Sequence, residues 1–105
     1  MREDFSNIPL YRNEEKKRFE IEIDNTIAFV TYKETGNQVA LVHTEVAPAL
    51  SGRGIAGALV EKTLQYIQDH NKTVLPYCSY VLGYIQKHPE WKPLVDSSFK
   101  DYQML

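Results

Sequence analysis

The residues best able to do chemistry in this 105-residue chain are Cys78, the pair His43 and Glu45, and a run of glycines at 52, 54 and 57. Glycines at such spacing remove side chains where a backbone must turn sharply or approach a ligand closely. The run stands between a strand-like segment and an amphipathic helix pattern. Its bare N–H groups therefore converge at the positive end of a helix dipole, where a phosphate or pyrophosphate can accept them. Small residues at a helix start also permit close helix-on-sheet packing, so both roles stand open. A P-loop is excluded, because no Gly-Lys-Ser/Thr follows.

Cys78 precedes a predicted helix, where the dipole stabilises a thiolate, which makes it a candidate nucleophile. Cysteine is equally at home as a small buried hydrophobe. His43 and Glu45 have strand spacing and project from one face, so either can accept a proton from a reacting group, directly or through water, or serve only as packed or solvated residues. Tyr80 and Tyr84 stand one helical turn apart. Two aromatics at this spacing suit core packing. His70 and His88 fit no metal-ligand spacing.

The elements that must position these residues are legible as periods. Phe19 to Ile23 alternates strictly, Asp24-Asn25 supplies a turn, and Ile27 to Lys33 completes a hairpin. A second turn over Glu34 to Asn37 leads into a strand over Val39 to Val46, giving an antiparallel meander. Ile55, Ala56, Leu59, Val60, Leu64 and Ile67 then recur at helical spacing over about four turns. Thr73 to Cys78 reads as a strand, so the intervening helix is a crossover joining a parallel pair. Ser79 to His88 is a second helix with Ser79 available as its cap, ended by Pro89. Residues 1–16 are polar and read as a loosely held tail. Glu90 to Leu105, with Trp91, Phe99 and Tyr102, reads as a covering segment.

Composition sets outer bounds. The length fits one domain without internal repeat or linker. A hydrophobic fraction of 43% and a charged fraction of 25% are those of a globular protein. The net charge of -2 counts against a nucleic-acid binder. No apolar stretch approaches the roughly 20 residues of a spanning helix or forms a signal peptide, so a cytoplasmic location is expected. One cysteine allows no internal disulfide. No heptad seam marks a strong self-association surface, which leaves a monomer or a weak homodimer.

The loop resembles the acyl-coenzyme A loop of the GCN5-related N-acetyltransferase superfamily, whose pattern is Gln/Arg-x-x-Gly-x-Gly/Ala after a strand. The matching residues are Ser51-Gly52-Arg53-Gly54-Ile55-Ala56, with Ser51 departing from the first position. The chain is similar in particular to a very small, single-domain subgroup of that superfamily, through His43-Thr44, Gly52 to Ala56, Pro76 to Val81 and His88-Pro89-Glu90. The resemblance covers roughly residues 19 to 91. It implies an α/β fold with a mixed sheet and two main helices, the sheet split by a bulge near Val46 to Pro48. It further implies that acetyl-coenzyme A lies in the gap, with Thr44, Val46, Ser51, Gly52, Arg53, Gly54, Ile55, Ala56 and Gly57 as its contacts. The implied activity is acetyl transfer to an amine, by direct attack with Glu45 or His43 as base or through an acetyl-Cys78 intermediate, with Tyr84 as a candidate acid. A non-catalytic acyl-coenzyme A sensing module is the alternative.

Overall fold

In the computed structural model, which describes residues 4–100, the elements follow the order of the sequence periods. The strands are β1 (Tyr11–Asn13), β2 (Arg18–Ile23), β3 (Thr26–Thr35), β4 (Gln38–Glu45) and β5 (Thr73–Pro76), and the helices are α1 (Ile55–Asp69) and α2 (Ser79–Lys87). The strands form one sheet in the order β1-β2-β3-β4-β5, antiparallel except for the β4–β5 pair.

Local chemistry sets the connections. Asp24 and Asn25 both take positive φ, 53° and 63°, as a two-residue hairpin turn of the primed type requires between Ile23 and Thr26. At the other hairpin Gly36 supplies the positive φ between Thr35 and Gln38. Helix α1 stops in a Schellman motif: Asn71 turns left-handed, its N–H bonds to the Gln68 carbonyl, and the Lys72 N–H bonds to the Ile67 carbonyl.

The core lies between α1 and one face of the sheet, with α2 packed beside α1. Phe19, Ile21, Ala28, Val30, Val39, Leu41 and Val74 point into it from the strands, met by Ile55, Leu59, Val60, Leu64 and Ile67 of α1 and by Val81 and Ile85 of α2. Burying each of these side chains other than Ala28 contributes about 1.5–3 kcal/mol. The opposite face of the sheet leaves Ile27, Lys33, Val42, His43 and Glu45 exposed.

The N-terminal end differs from the sequence reading, whereas the C-terminal segment is held against the sheet. Within the expected loose tail, Tyr11–Asn13 pairs with Arg18–Glu20, and Phe5, Ile8 and Leu10 pack against the core. Arg12 anchors this edge by donating to the hydroxyls of Tyr32 at 3.0 Å and Tyr66 at 2.9 Å. Beyond α2 the chain makes a 3₁₀ helix, Pro89–Leu94, and returns to the sheet, where Val95 bridges Val74 and Phe99 is buried. Tyr102 lies outside the described residues.

Candidate functional site

The site begins where the parallel pair stops. Strands β4 and β5 pair only from Gln38–Thr73 to Leu41–Pro76, after which the Cys78 N–H makes a last bond to the Leu41 carbonyl at 2.8 Å. Pro76 has no N–H to extend the ladder, and the chain turns away into α2. Residues 42–45 therefore keep β3 on one side and have no strand partner on the other among the described residues.

A β-bulge sits at this opening. Tyr32 pairs with Leu41 and Thr31 with His43, which leaves Val42 as the extra residue. The split thus starts at Leu41 and the bulge lies at Val42. The expected bulge at Val46 to Pro48 is absent; that stretch leads into a short 3₁₀ turn, Pro48–Leu50, fixed by the buried Leu50. The extra residue resets the alternation. Leu41 and Thr44 now share the helix-covered face, opposite Tyr32 and Val30, whereas His43 and Glu45 share the open face with Thr31 and Phe29.

This arrangement divides the predicted catalytic residues. The Thr44 hydroxyl lies 3.3 Å from the Cys78 Sγ, and Cys78, 8% exposed, is the residue before the first turn of α2. On the other face His43 Nε2 approaches Glu45 Oε1 at 3.4 Å, with both side chains about 60% exposed. Tyr84 stands apart from both groups, its hydroxyl donating to Glu61 of α1 at 3.3 Å and its ring stacked on His88. Burial, followed by the Glu61 charge and hydrogen bond, holds its phenol well above the ordinary tyrosine range.

The glycine loop opens α1 without closing it. Gly52 and Gly54 have φ of 81° and 80°, and Gly54 is the N-cap residue, with neither a side-chain cap nor an acidic residue in the first turn. The first intrahelical bond runs from the Ala58 N–H to the Gly54 carbonyl, so the amides of Ile55, Ala56 and Gly57 head the helix. Gly52 and Gly54 border a cleft of about 900 Å³ that runs between α1 and α2, with Gly57, Ala58, Glu61 and Lys62 on one wall and Ser79, Tyr80, Gly83 and Lys87 on the other. A Cβ at Gly57 would touch the Tyr80 hydroxyl at 3.6 Å and the Tyr84 ring at 3.7 Å, so both tyrosines of α2 lie close against α1 there. Arg53 also borders the cleft and pairs with Asp24 of the β2–β3 turn at 2.7 Å.

Residues 18–94 match the family described as GCN5-related N-acetyl-transferase. The chain belongs to that family. It is 26% identical over 87 residues to Protein NATD1 of Xenopus tropicalis, covering 80% of both chains. To Protein NATD1 of Mus musculus it is 26% identical over 85 residues, covering 78% of this chain and 77% of that one. In fold it is similar to the NMR structure of a GCN5-like protein from Staphylococcus aureus, with a TM-score of 0.66, 87% of this chain and 90% of that one covered, and 23% identity. Membership in the N-acetyl-transferase family supports acyl transfer as the general activity.

The residues present suit the coenzyme such transferases use. An uncapped helix start with three amides and no acidic residue in its first turn suits a pyrophosphate, and Arg53, Lys62 and Lys87 line the same cleft. The letters Gly52 to Gly57 also spell Gly-x-Gly-x-x-Gly, the dinucleotide fingerprint. Here, however, β4 ends at Glu45 and a 3₁₀ turn intervenes before Gly52, so the fingerprint's direct strand-to-helix turn is absent. Sequence reasoning passed over Lys62, Lys87 and Gly83. The signal that could have found them is a stripe: Gly54, Ala58 and Lys62 recur every four residues on α1, as Gly83 and Lys87 do on α2.

Proposed function

We propose that this chain is an acetyl-coenzyme A-dependent N-acetyltransferase that acts on an amine. One observation carries the reading: a path from the uncapped start of α1 along the cleft between the helices reaches Ser79, the neighbour of Cys78, whose thiol lies 3.3 Å from the hydroxyl of Thr44 on the unpaired edge of β4. Along that path the amides of Ile55, Ala56 and Gly57 would hold the pyrophosphate, with Arg53 and Lys87 beside it. Thr44 and Val46, at and just past the free edge of β4, would hold the pantetheine arm as an added strand does. Ser51 is exposed, and its N–H is used by the Pro48 carbonyl at 3.1 Å, so it contributes through loop shape.

Acetyl-coenzyme A, when bound, supplies the thioester carbonyl that an amine attacks. His43 is the base in this reading, because its imidazole faces the open side of the sheet, from which an acceptor can approach without entering the coenzyme cleft. Glu45, at 3.4 Å, orients the ring. A second reading rests on the place of Cys78 before α2 and its contact with Thr44: the thiol itself accepts the acetyl group and passes it on.

Calorimetric titration with acetyl-coenzyme A, followed by coenzyme A release across an amine panel, tests the proposal. Saturable binding with turnover is expected. Binding without turnover for any amine would leave a sensing module, and no binding by folded protein would remove the assignment. Intact-mass analysis after incubation with acetyl-coenzyme A separates the two routes, since only the second adds one acetyl group at Cys78.

A further inference from the structure

The cleft has a wall that neither helix supplies. Asp4, Phe5 and Ser6 line it together with the α1 and α2 residues. Phe5 is half-buried and packs against the core, and its carbonyl accepts the Ile8 N–H at 3.0 Å, so the segment is folded down onto the body. Asp4 is exposed and accepts the Ser6 N–H at 2.9 Å, which sets the direction of its carboxylate. The Ser6 hydrogen bonds hold the Asp4 carboxyl below its ordinary range, and the nearby positive charge of Lys62 adds to them. The cleft therefore contains two carboxylates among its cations. Glu61 accepts from Tyr84 within the α1–α2 pair, whereas Asp4 is brought in from outside the helices.

We propose that the N-terminal segment is an autoinhibitory strap, anchored by Phe5, whose Asp4 carboxylate sets negative charge beside Lys62 in the cleft that the coenzyme's phosphates must enter. This rests on the acetyl-coenzyme A reading above. A polyanion entering the cleft meets Arg53, Lys62 and Lys87 as attraction and Asp4 as repulsion, so the strap lowers affinity until it swings away or is neutralised. Because Asp4 is exposed, its repulsion is screened by salt, which gives the effect a signature that packing alone lacks.

The test is calorimetric titration of the full chain with acetyl-coenzyme A at low ionic strength and again at about 0.5 M NaCl, where the Debye length falls to roughly 4 Å. Asp4→Asn is expected to bind roughly three- to tenfold more tightly than the parent at low salt, a gain that shrinks toward none at high salt. Phe5→Ala, which releases the anchor, is expected to shift affinity in the same direction. If the parent binds and Asp4→Asn binds equally or more weakly at low salt, the strap is overturned while the coenzyme assignment stands. A gain that persists undiminished at high salt overturns it too, and absence of binding by both proteins removes the assignment and the strap together.

Discussion

Gly54 concentrates two demands on one residue, because its left-handed backbone both starts α1 and leaves the helix without a cap. A Cβ there meets nothing within 4 Å, so the cost of Gly54→Ala is conformational, about 1–2 kcal/mol for an L-residue held in that region. The expected result is a lower urea midpoint together with weaker acetyl-coenzyme A binding, read by denaturation and calorimetry on the same variant. Cys78 poses a narrower question. If the imidazole of His43 activates the amine directly, Cys78→Ala keeps activity within a few-fold of the parent and the parent never gains an acetyl mass; an acetyl-cysteine route predicts loss of turnover. The glycines were readable from sequence because a positive φ leaves so few alternatives. The Thr44–Cys78 contact was not, since it depends on an extra residue at Val42 that no strand period announces.

At the scale of elements, the C-terminal return shows how a segment without regular structure is held. The Asp96 carboxylate accepts from the Ser98 N–H at 2.9 Å, from the Ser98 hydroxyl, and from the Thr73 hydroxyl of β5 at 2.7 Å, while its own N–H reaches the Val74 carbonyl at 3.0 Å. These bonds, those to Ser98 foremost, hold its carboxyl well below the ordinary range. The folded chain thus takes up this proton less readily than the unfolded one, whose carboxyl titrates near about 3.9. The stabilisation is complete above that pH and is lost as pH falls from there toward the folded value. Asp96→Asn is accordingly expected to flatten the fall in urea midpoint between about pH 5 and pH 2, measured against the parent. The meander, the crossover helix and the second helix were legible because each repeats an apolar period over six or more residues. Strand β1 spans three residues and the return after Pro89 repeats nothing, so both needed tertiary contacts to be seen.

Across the whole molecule, the sheet separates two kinds of chemistry. The cleft between α1 and α2 gathers glycines and cations suited to a phosphorylated coenzyme, and the far face of the same sheet presents His43 and Glu45 to solvent. The sequence placed His43 and Glu45 on one face correctly, but the side that face took relative to Cys78 hinged on the bulge, because a single inserted residue exchanges the faces of everything beyond it. That division predicts separable kinetic defects. Lys87→Ala, an exposed lysine at the cleft wall, should raise the Kd for acetyl-coenzyme A and leave the acceptor KM unchanged. His43→Gln should leave the Kd for acetyl-coenzyme A unchanged and lower kcat by about 10²- to 10⁴-fold, the usual cost of losing a general base. Equal loss of coenzyme affinity in both variants would place His43 in the coenzyme site and remove it as the base. Unchanged turnover in His43→Gln would transfer that role to Glu45, to be read in Glu45→Gln with the same two measurements.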